Sequence, residues 1–257
     1  MAITPSAPNG SVSRGGMHKW RVKMSARKSN LKVATAHGRR FPTKFNIYRV
    51  SRAPTEYAPP DYILGEHQEQ PLYSFVGSRR RANSREGMDV YLLDGILAYS
   101  RMLAYARYEP GQHMKKWIVH LGPPREQVPG TDFTVIKDDN NLIFRFSIKT
   151  DVANTVEDFE WRAAGYLDVA PIFGFGIREA SSWELVRMAN DALTDLSTLT
   201  SDGREKIGML QRLKKGRKRW RFEFLGTGAS GPLGQEWELA TIITMVTLTD
   251  YLDSRKL

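Results

Sequence analysis

The sequence contains no cysteine, and its five histidines are scattered at His18, His37, His67, His113 and His120. Without thiols the chain forms neither disulfides nor thiolate metal sites, and it has no cysteine nucleophile. The histidines include no HExxH-type pair, so we expect no zinc site. A chain free of cysteine also fits a reducing compartment. We therefore expect a protein that works without a metal ion or another cofactor.

Acidic residues are missing from the beginning of the chain, where the first one is Glu56. Twelve of the 38 basic residues precede it, and the remaining chain, with 26 basic and 28 acidic residues, is nearly neutral. The formal net charge of +10 therefore belongs to an N-terminal arm. The twelve residues are Arg14, Lys19, Arg21, Lys23, Arg27, Lys28, Lys32, Arg39, Arg40, Lys44, Arg49 and Arg52.

Large apolar residues are also scarce in residues 1–40, which are rich in Ser, Ala, Gly, Arg and Lys. Such a segment buries too little surface to offset its ordering entropy, so we predict a disordered basic arm. Its composition also fits a mitochondrial transit peptide, although a solvated tail is the commoner interpretation. Because a secretory apolar core is missing, we predict an intracellular protein, cytoplasmic or peripheral to a membrane, with nuclear or mitochondrial import as alternatives.

Short β-branched or aromatic runs, each bounded by Pro, Gly, Asn or Asp, recur from Phe41 onward and predict about ten to twelve strands. The clearest hairpin joins Phe133–Lys137 to Leu142–Ile148. No long amphipathic helices alternate with the runs, which favours an antiparallel sandwich or barrel. Leu97–Arg107 fits a strand or a short helix, and residues 189–203 are predicted as an inserted loop. The other predicted strands are Phe45–Val50, Tyr62–Leu64, Leu72–Val76, Val90–Leu93, Trp117–Leu121, Phe159–Arg162, Trp183–Met188, Ile207–Leu213 and Trp220–Leu225.

Residues 234–254 have a long apolar middle, and we predict a helix there. Glu236 and Glu238 place negative charge in its first turn, where the helix dipole favours it. Between Glu238 and Asp250 lie 11 uncharged residues, whereas a helix needs about 20 apolar residues to span a bilayer. The apolar residues point in nearly every direction, which is typical of a helix surrounded by protein. The alternative is a long buried strand, because Thr, Ile and Val favour strands.

Five runs, in order along the chain, resemble the tubby C-terminal superfamily, which includes the tubby-like, LURP-one-related and phospholipid scramblase groups. The runs are TEYAPPDYILGEHQEQPLYSF, DVYLLDG, FEWR, WELVRM and the closing segment Leu233–Leu252, and they are most similar to uncharacterised fungal members. The resemblance implies a mainly β domain over residues 41–257. Its expected architecture is a closed antiparallel barrel of about twelve strands, threaded by the buried hydrophobic C-terminal helix.

No catalytic constellation stands out in the sequence. Phe159–Arg162 could supply Glu160 as a base and Arg162 as an anion clamp. In an alternating strand, however, Phe159 and Trp161 share one face, and the two charged residues share the other. Two core aromatics and an outer charged pair then explain the run without function. No Gly-x-Ser-x-Gly elbow is present either, so we predict that the protein is not an enzyme.

Two basic clusters outside the arm lie between predicted strands. In the cluster Arg212–Arg221, seven positive charges repel one another, which indicates an anionic partner. The cluster Arg79–Arg85 fits a solvated turn equally well. Tubby-like domains are known for binding phosphoinositide headgroups through basic residues, so the resemblance implies a scaffold protein on an anionic phospholipid surface. The alternative is a nucleic-acid-binding or coat-type protein that uses the basic arm, and Lys214–Arg219 also fits a nuclear localisation run. The candidate residues, chosen from charge alone, are Arg79, Arg80, Arg81, Lys214, Lys215, Arg217, Lys218 and Arg219.

Overall fold

Twelve antiparallel strands and two helices make up the described part of the chain. The computed structural model describes residues 40–50, 61–77, 89–97, 100–109, 116–122, 130–138, 141–152, 154–164, 182–189, 199–213 and 217–254. The strands are β1 (Lys44–Arg49), β2 (Tyr62–Gly65), β3 (Tyr73–Gly77), β4 (Val90–Asp94), β5 (Arg101–Glu109), β6 (Lys116–Leu121), β7 (Thr131–Asp138), β8 (Asn141–Lys149), β9 (Val156–Ala163), β10 (Ser182–Arg187), β11 (Glu205–Arg212) and β12 (Lys218–Phe224). The helices are α1 (Gly226–Ser230) and α2 (Gln235–Ser254).

The strands form one closed barrel, in which each strand pairs with its neighbours in sequence and β1 completes the ring against β12. The predicted fold class is therefore confirmed. The predicted hairpin is β7 with β8, whose register places Asp138 opposite Asn141. The ambiguous segment Leu97–Arg107 contributes a strand, β5, and not a helix.

Alternation of apolar and polar residues explains why these segments form strands with one buried face. In β12, Trp220, Phe222 and Phe224 are buried, while Arg221 and Glu223 between them remain partly exposed. A side chain on every second residue points into the barrel, so three aromatic rings from this single strand enter the core. The same period brings large aromatic residues inward from most of the other strands.

The helix α2 fills the interior that twelve strands leave open. Side chains alone fill the interior of a barrel of about eight strands. Twelve strands enclose a wider interior, which has room for an additional element. Every residue of α2 from Trp237 to Leu252 is buried. Trp237 packs 6.0 Å from Phe159 between ring centroids, and Tyr251 packs 5.7 Å from Trp117. The predicted buried helix is confirmed, and the alternative of a buried strand is wrong.

Most threonine hydroxyls of the buried helix α2 form hydrogen bonds within the helix. The hydroxyl of Thr244 donates to the carbonyl of Thr241 at 3.1 Å, and that of Thr247 donates to Ile243 at 2.8 Å. Thr244 also accepts a hydrogen bond of 3.1 Å from the indole Nε1 of Trp161 on the barrel wall. Because these hydroxyls bond to a carbonyl one turn earlier, the threonines tolerate burial, whereas Thr241 Oγ1 has no hydrogen-bond partner within the described part of the chain.

The two ends of α2 define the two rims of the barrel. At the top rim, where α2 begins, the Glu238 carboxylate accepts hydrogen bonds from the backbone N–H of Arg40 at 2.9 Å and of Phe41 at 3.3 Å. At the bottom rim, where α2 ends, Asp253 accepts hydrogen bonds from Arg212 at 2.9 Å and from the Tyr62 hydroxyl at 2.7 Å. Both helix ends are therefore fixed to the wall.

The sequence did not predict α1, a short helix between β12 and α2. It contains two glycines in five residues, which disfavours a helix, but a tertiary contact forms it. A Cβ on Gly228 would lie 2.3 Å from the carbonyl oxygen of Ile207, so only glycine allows this approach.

Of the predicted arm, residues 1–39 lie outside the described part of the chain. No described helix is long and apolar enough to cross a membrane.

Truncation before Gln235 tests whether α2 is a core element of the barrel. We expect the fragment of residues 1–234 to be insoluble and to lack a cooperative unfolding transition, because its inward-facing aromatics would lose their packing partner. Removal of only residues 255–257 is the control and should leave the transition intact. Circular dichroism during heating, combined with sedimentation, measures both properties. A soluble fragment 1–234 that unfolds cooperatively would contradict the assignment.

Candidate anion-binding surface

The predicted basic residues divide between the described part of the chain and the rest. Arg79, Arg80, Arg81, Lys214 and Lys215 lie outside the described residues. Strands β3 and β4 flank the first segment, and β11 and β12 flank the second. The ends of these strands that adjoin the two segments all lie at the bottom rim. Only β2 and β1 separate β3 from β12, which corresponds to roughly 14 Å along the sheet at 4.8 Å between strands.

The remaining predicted residues, Arg217, Lys218 and Arg219, are described and lie where β12 begins. Closure of the barrel brings a residue from the far end of the sequence beside them, since the backbone N–H of Arg49 donates to the carbonyl of Arg217 at 2.9 Å. Arg221 follows on the same strand. We call this group of five cations, Arg49, Arg217, Lys218, Arg219 and Arg221, the β12 patch.

A bulge in the β1–β12 ladder lies within the β12 patch. Ile47 pairs with Trp220 and Tyr48 with Lys218, so Arg219 is the extra residue without a Cα partner on β1. Bulges of this kind change the direction of a side chain and recur at barrel rims and binding sites. Arg219 Nε is buried and has no hydrogen-bond acceptor within the described part of the chain. The fold therefore leaves the Nε of Arg219 without an acceptor among the described residues.

The cations of the β12 patch form no ion pair with a described residue, although the charges of Glu69 and Arg221 both act on the Tyr48 hydroxyl that lies between them. By contrast, Lys44, at the other end of β1, pairs with Glu223 at 2.7 Å. Burial lowers the pKa of Lys218, and the nearby positive charge of Arg221 lowers it further. Both effects disfavour the charged lysine, and a bound anion would relieve the second of them.

Arg212 belongs to the same basic stretch of sequence but has a structural role. Its guanidinium pairs with Asp253 at 2.9 Å and lies 5.1 Å from the centroid of the Trp220 ring. Trp220 is fully buried. The indole is therefore part of the core and offers no exposed surface for insertion into a membrane or for stacking on a base.

The predicted outer charged pair, Glu160 and Arg162, is covered by other residues. Both are buried, and Arg162 Nη2 lies 2.7 Å from Glu160 Oε2. Arg162 also contacts Asp202 at 2.8 Å, and Arg145 forms an ion pair with the other oxygen of Glu160. The turn before β11, which carries Asp202, covers this face of β9. The opposite charges therefore neutralise one another, as expected of ion pairs that stabilise the fold.

A second buried network joins β9, β10, β11 and α1. Glu157 accepts hydrogen bonds from Arg187 at 2.5 Å and from the Thr150 hydroxyl at 2.6 Å. Glu205 accepts one from the backbone N–H of Thr227 at 2.7 Å. Burial raises the pKa of Glu157, but the hydrogen bonds and the charge of Arg187 outweigh it, so the net pKa lies below its ordinary value. These contacts stabilise the wall and the position of α1.

The two buried networks are satisfied by their own ion pairs and hydrogen bonds, and the cations of the β12 patch form no ion pair within the described part of the chain. No group of three or more His, Asp or Glu side chains there is placed to hold a metal ion. The described interior is packed with α2 and aromatic rings, so a ligand would bind on the outside of the barrel.

The chain has no significant match to a protein-family model, to a curated protein or to a solved structure. The tubby-like resemblance accordingly stays a prediction.

Replacement of Glu160 by glutamine tests the structural role of the first network. We expect Glu160→Gln to lower the free energy of unfolding by about 3 kcal/mol, because two arginines lose their buried counter-ion. Glu184→Gln on the adjacent strand is the control. Its contact with Lys206 is longer, at 3.6 Å, so the loss should stay below about 1 kcal/mol. Equal losses in urea unfolding would refute the assignment.

The lowered pKa of Glu157 predicts an acid-sensitive fold. In the folded state this carboxyl releases its proton more readily than in the unfolded state, whose pKa is near 4.5. Its stabilising contribution is complete above that value and disappears as the pH falls through the folded pKa. Glu157→Gln should therefore reduce the loss of stability between pH 6 and acid, measured by urea unfolding, while Glu223→Gln should not. Parallel pH profiles for Glu157→Gln and the unchanged chain would argue against the prediction.

Proposed function

We propose that this chain is a non-enzymatic binding or scaffold protein that attaches peripherally to anionic, phosphoinositide-like lipid surfaces through the bottom rim of its barrel. The observation that carries the proposal is the β12 patch: five cations without an acidic partner among the described residues, around a bulge with a buried, unused Arg219 Nε. Folding alone gives no reason to gather these charges, because they repel one another.

The number of charges is sufficient for peripheral attachment. Each Lys or Arg close to an anionic leaflet contributes about 1 kcal/mol, so the β12 patch supplies about 5 kcal/mol. The candidates outside the described residues, Arg79–Arg81, Lys214 and Lys215, would about double this sum. That range corresponds to dissociation constants from roughly millimolar to micromolar or below, which is typical of reversible membrane binding.

The architecture supports membership of the tubby-like superfamily as part of the proposal. A closed barrel of twelve strands around a C-terminal helix is the arrangement that the resemblance implies. The headgroup contacts of that superfamily cannot be transferred position by position, so the binding residues here rest on charge and geometry alone.

A nucleic-acid partner remains the alternative, because phosphodiesters would also bind these cations. Proteins that bind single strands usually add aromatic side chains on which bases stack. Near the β12 patch, Trp220 is fully buried and Tyr48 is 8% exposed. The described surface around the patch thus offers charge without a stacking platform, which favours a lipid headgroup.

Vesicle flotation with the full chain tests the proposal. Binding should be absent with phosphatidylcholine alone, present with phosphatidylserine added, and stronger with a phosphoinositide. Arg219→Gln combined with Lys218→Gln should reduce the bound fraction at least fivefold, because two charges of the β12 patch are lost. The matched control, Arg101→Gln combined with Lys149→Gln, removes two exposed cations at the top rim and should leave binding unchanged.

Two parallel measurements separate the alternatives. Soluble inositol phosphate should compete with vesicles if the headgroup is recognised, and an RNA filter-binding assay shows whether nucleic acid binds more tightly. Neutralisation of residues 214–219 should abolish vesicle binding. If that variant still binds, and deletion of residues 1–40 removes binding, the bottom rim is not the site.

A further inference from the structure

Lys218 is the only lysine among the five residues of the β12 patch, and it is the first residue of β12. Lysine differs from arginine in one chemical respect. Its amine can lose a proton and then act as a nucleophile, whereas a guanidinium stays protonated in proteins. Lys218 is partly exposed, so a small molecule in solution reaches it. The surroundings of this amine therefore decide how readily it reacts.

The bulge at Arg219 places Lys218 on the same outer face as Arg221. Residues three apart in a regular strand point to opposite faces of the sheet. Here Trp220 and its partner on β1 are buried in the core. The next pair of the ladder is Lys218 with Tyr48, whose hydroxyl contacts the turn between β2 and β3. Successive pairs face opposite sides, so Lys218 points outward, as Arg221 does.

Carboxylates hold several other lysines of the barrel in their charged form. Lys44 lies 2.7 Å from Glu223, and two further described lysines also form ion pairs. Such pairing favours the ammonium ion, which has no lone pair for an attack on carbon. Lys218 forms no ion pair within the described part of the chain, and burial together with the charge of Arg221 lowers its pKa. A larger fraction of this amine is therefore neutral at a given pH.

An adjacent cation is one of the means by which proteins activate a lysine as a nucleophile. The same cations also attract phosphate groups, because the planar guanidinium matches two phosphate oxygens. Arg217 next to Lys218 is exposed and available for such a contact. A reactant that carries both phosphates and an activated acyl group would thus be concentrated beside the amine. Acyl thioesters of coenzyme A have this composition.

We propose that Lys218 is an acylation site that reacts directly with acyl thioesters of a phosphorylated carrier such as coenzyme A, while the arginines of the β12 patch bind the phosphates of the carrier. The neutral Nζ attacks the carbonyl carbon of the thioester, so that a C–N bond forms and the C–S bond breaks. The sulfur leaves with the electron pair of the C–S bond and takes up the proton that Nζ loses. The products are an amide at Lys218 and a free thiol.

Acylation would weaken the attachment of the chain to an anionic surface. The amide is uncharged, so the β12 patch would retain four of its five positive charges. The loss of one charge should weaken vesicle binding about fivefold. This consequence rests on the proposed lipid function, whereas the acylation itself does not.

Mass spectrometry of the full chain after incubation with acetyl-coenzyme A tests the site. Lys218 should be acetylated about fivefold faster than the paired Lys44 and the exposed Lys149. The thioester S-acetyl-N-acetylcysteamine carries no phosphate and should reduce this preference to about twofold. Inorganic pyrophosphate should slow the reaction of Lys218 with acetyl-coenzyme A and leave that of Lys149 unchanged. Equal rates at Lys218 and Lys149 with acetyl-coenzyme A would overturn the assignment.

Variants of Arg221 test the effect of the neighbouring charge. Arg221→Gln should raise the pKa of Lys218, because a nearby positive charge is removed, and should shift the pH profile of its acetylation to higher pH. Arg221→Lys keeps the charge, and Arg101→Gln removes an exposed cation at the top rim. Both controls should leave the profile unchanged. An unchanged profile in Arg221→Gln would also contradict the proposal.

Vesicle flotation before and after acetylation separates this proposal from the lipid function. Treatment with acetyl-coenzyme A should weaken binding of the unchanged chain about fivefold and leave binding of Lys218→Arg unchanged, because arginine keeps its charge. Acetylation of Lys218 in a chain that binds no vesicles would refute the lipid proposal alone. Vesicle binding by a chain whose Lys218 is not acetylated in preference to Lys149 would refute the acylation site alone.

Discussion

Burial of α2 inside the closed barrel is the interaction on which the rest of the structure depends. Twelve strands enclose more space than their own side chains fill, and the helix supplies the missing apolar volume. Each large side chain that it buries, such as Ile242 or Leu248, contributes about 1.5–3 kcal/mol. Barrel and helix are therefore mutually dependent, since the helix has no polar face to show to water and the wall has no other core.

This constraint leaves the outside of the barrel for function and gives its two rims different characters. Where α2 ends, Asp253 forms an ion pair with Arg212. Among the described residues, no acidic side chain forms an ion pair with the neighbouring cations of the β12 patch. Where α2 begins, the Glu238 carboxylate accepts hydrogen bonds from the backbone N–H groups of Arg40 and Phe41. The cations at the bottom rim suit the anionic surface that we propose.

The strands and the buried helix could be predicted from local sequence patterns, because strand alternation and an all-round apolar helix are local properties. Those patterns left a sandwich or a barrel open, and the closed barrel around the helix was expected only from the tubby-like resemblance. The helix α2 begins and ends within one residue of its prediction. Non-local contacts explain the failures. Gly228 forms part of a helix only because it packs on Ile207, and Glu160 and Arg162 are buried only because a distant turn covers them. The basic run in the sequence identified Arg217–Arg219. Arg49 belongs to the β12 patch only because the barrel closes, and Arg212 does not belong to it because Arg212 is paired with Asp253.

Hydrogen exchange with mass spectrometry, in the presence and absence of phosphoinositide vesicles, tests whether α2 is the core and whether the bottom rim binds lipid. We expect the amides of α2 to exchange slowest of all and to be unaffected by vesicles. Vesicle-dependent protection should be confined to peptides that contain the end of β1 and the beginning of β12. Exchange in α2 that is faster than in the strands, or protection by vesicles at the top-rim turns instead, would contradict these expectations.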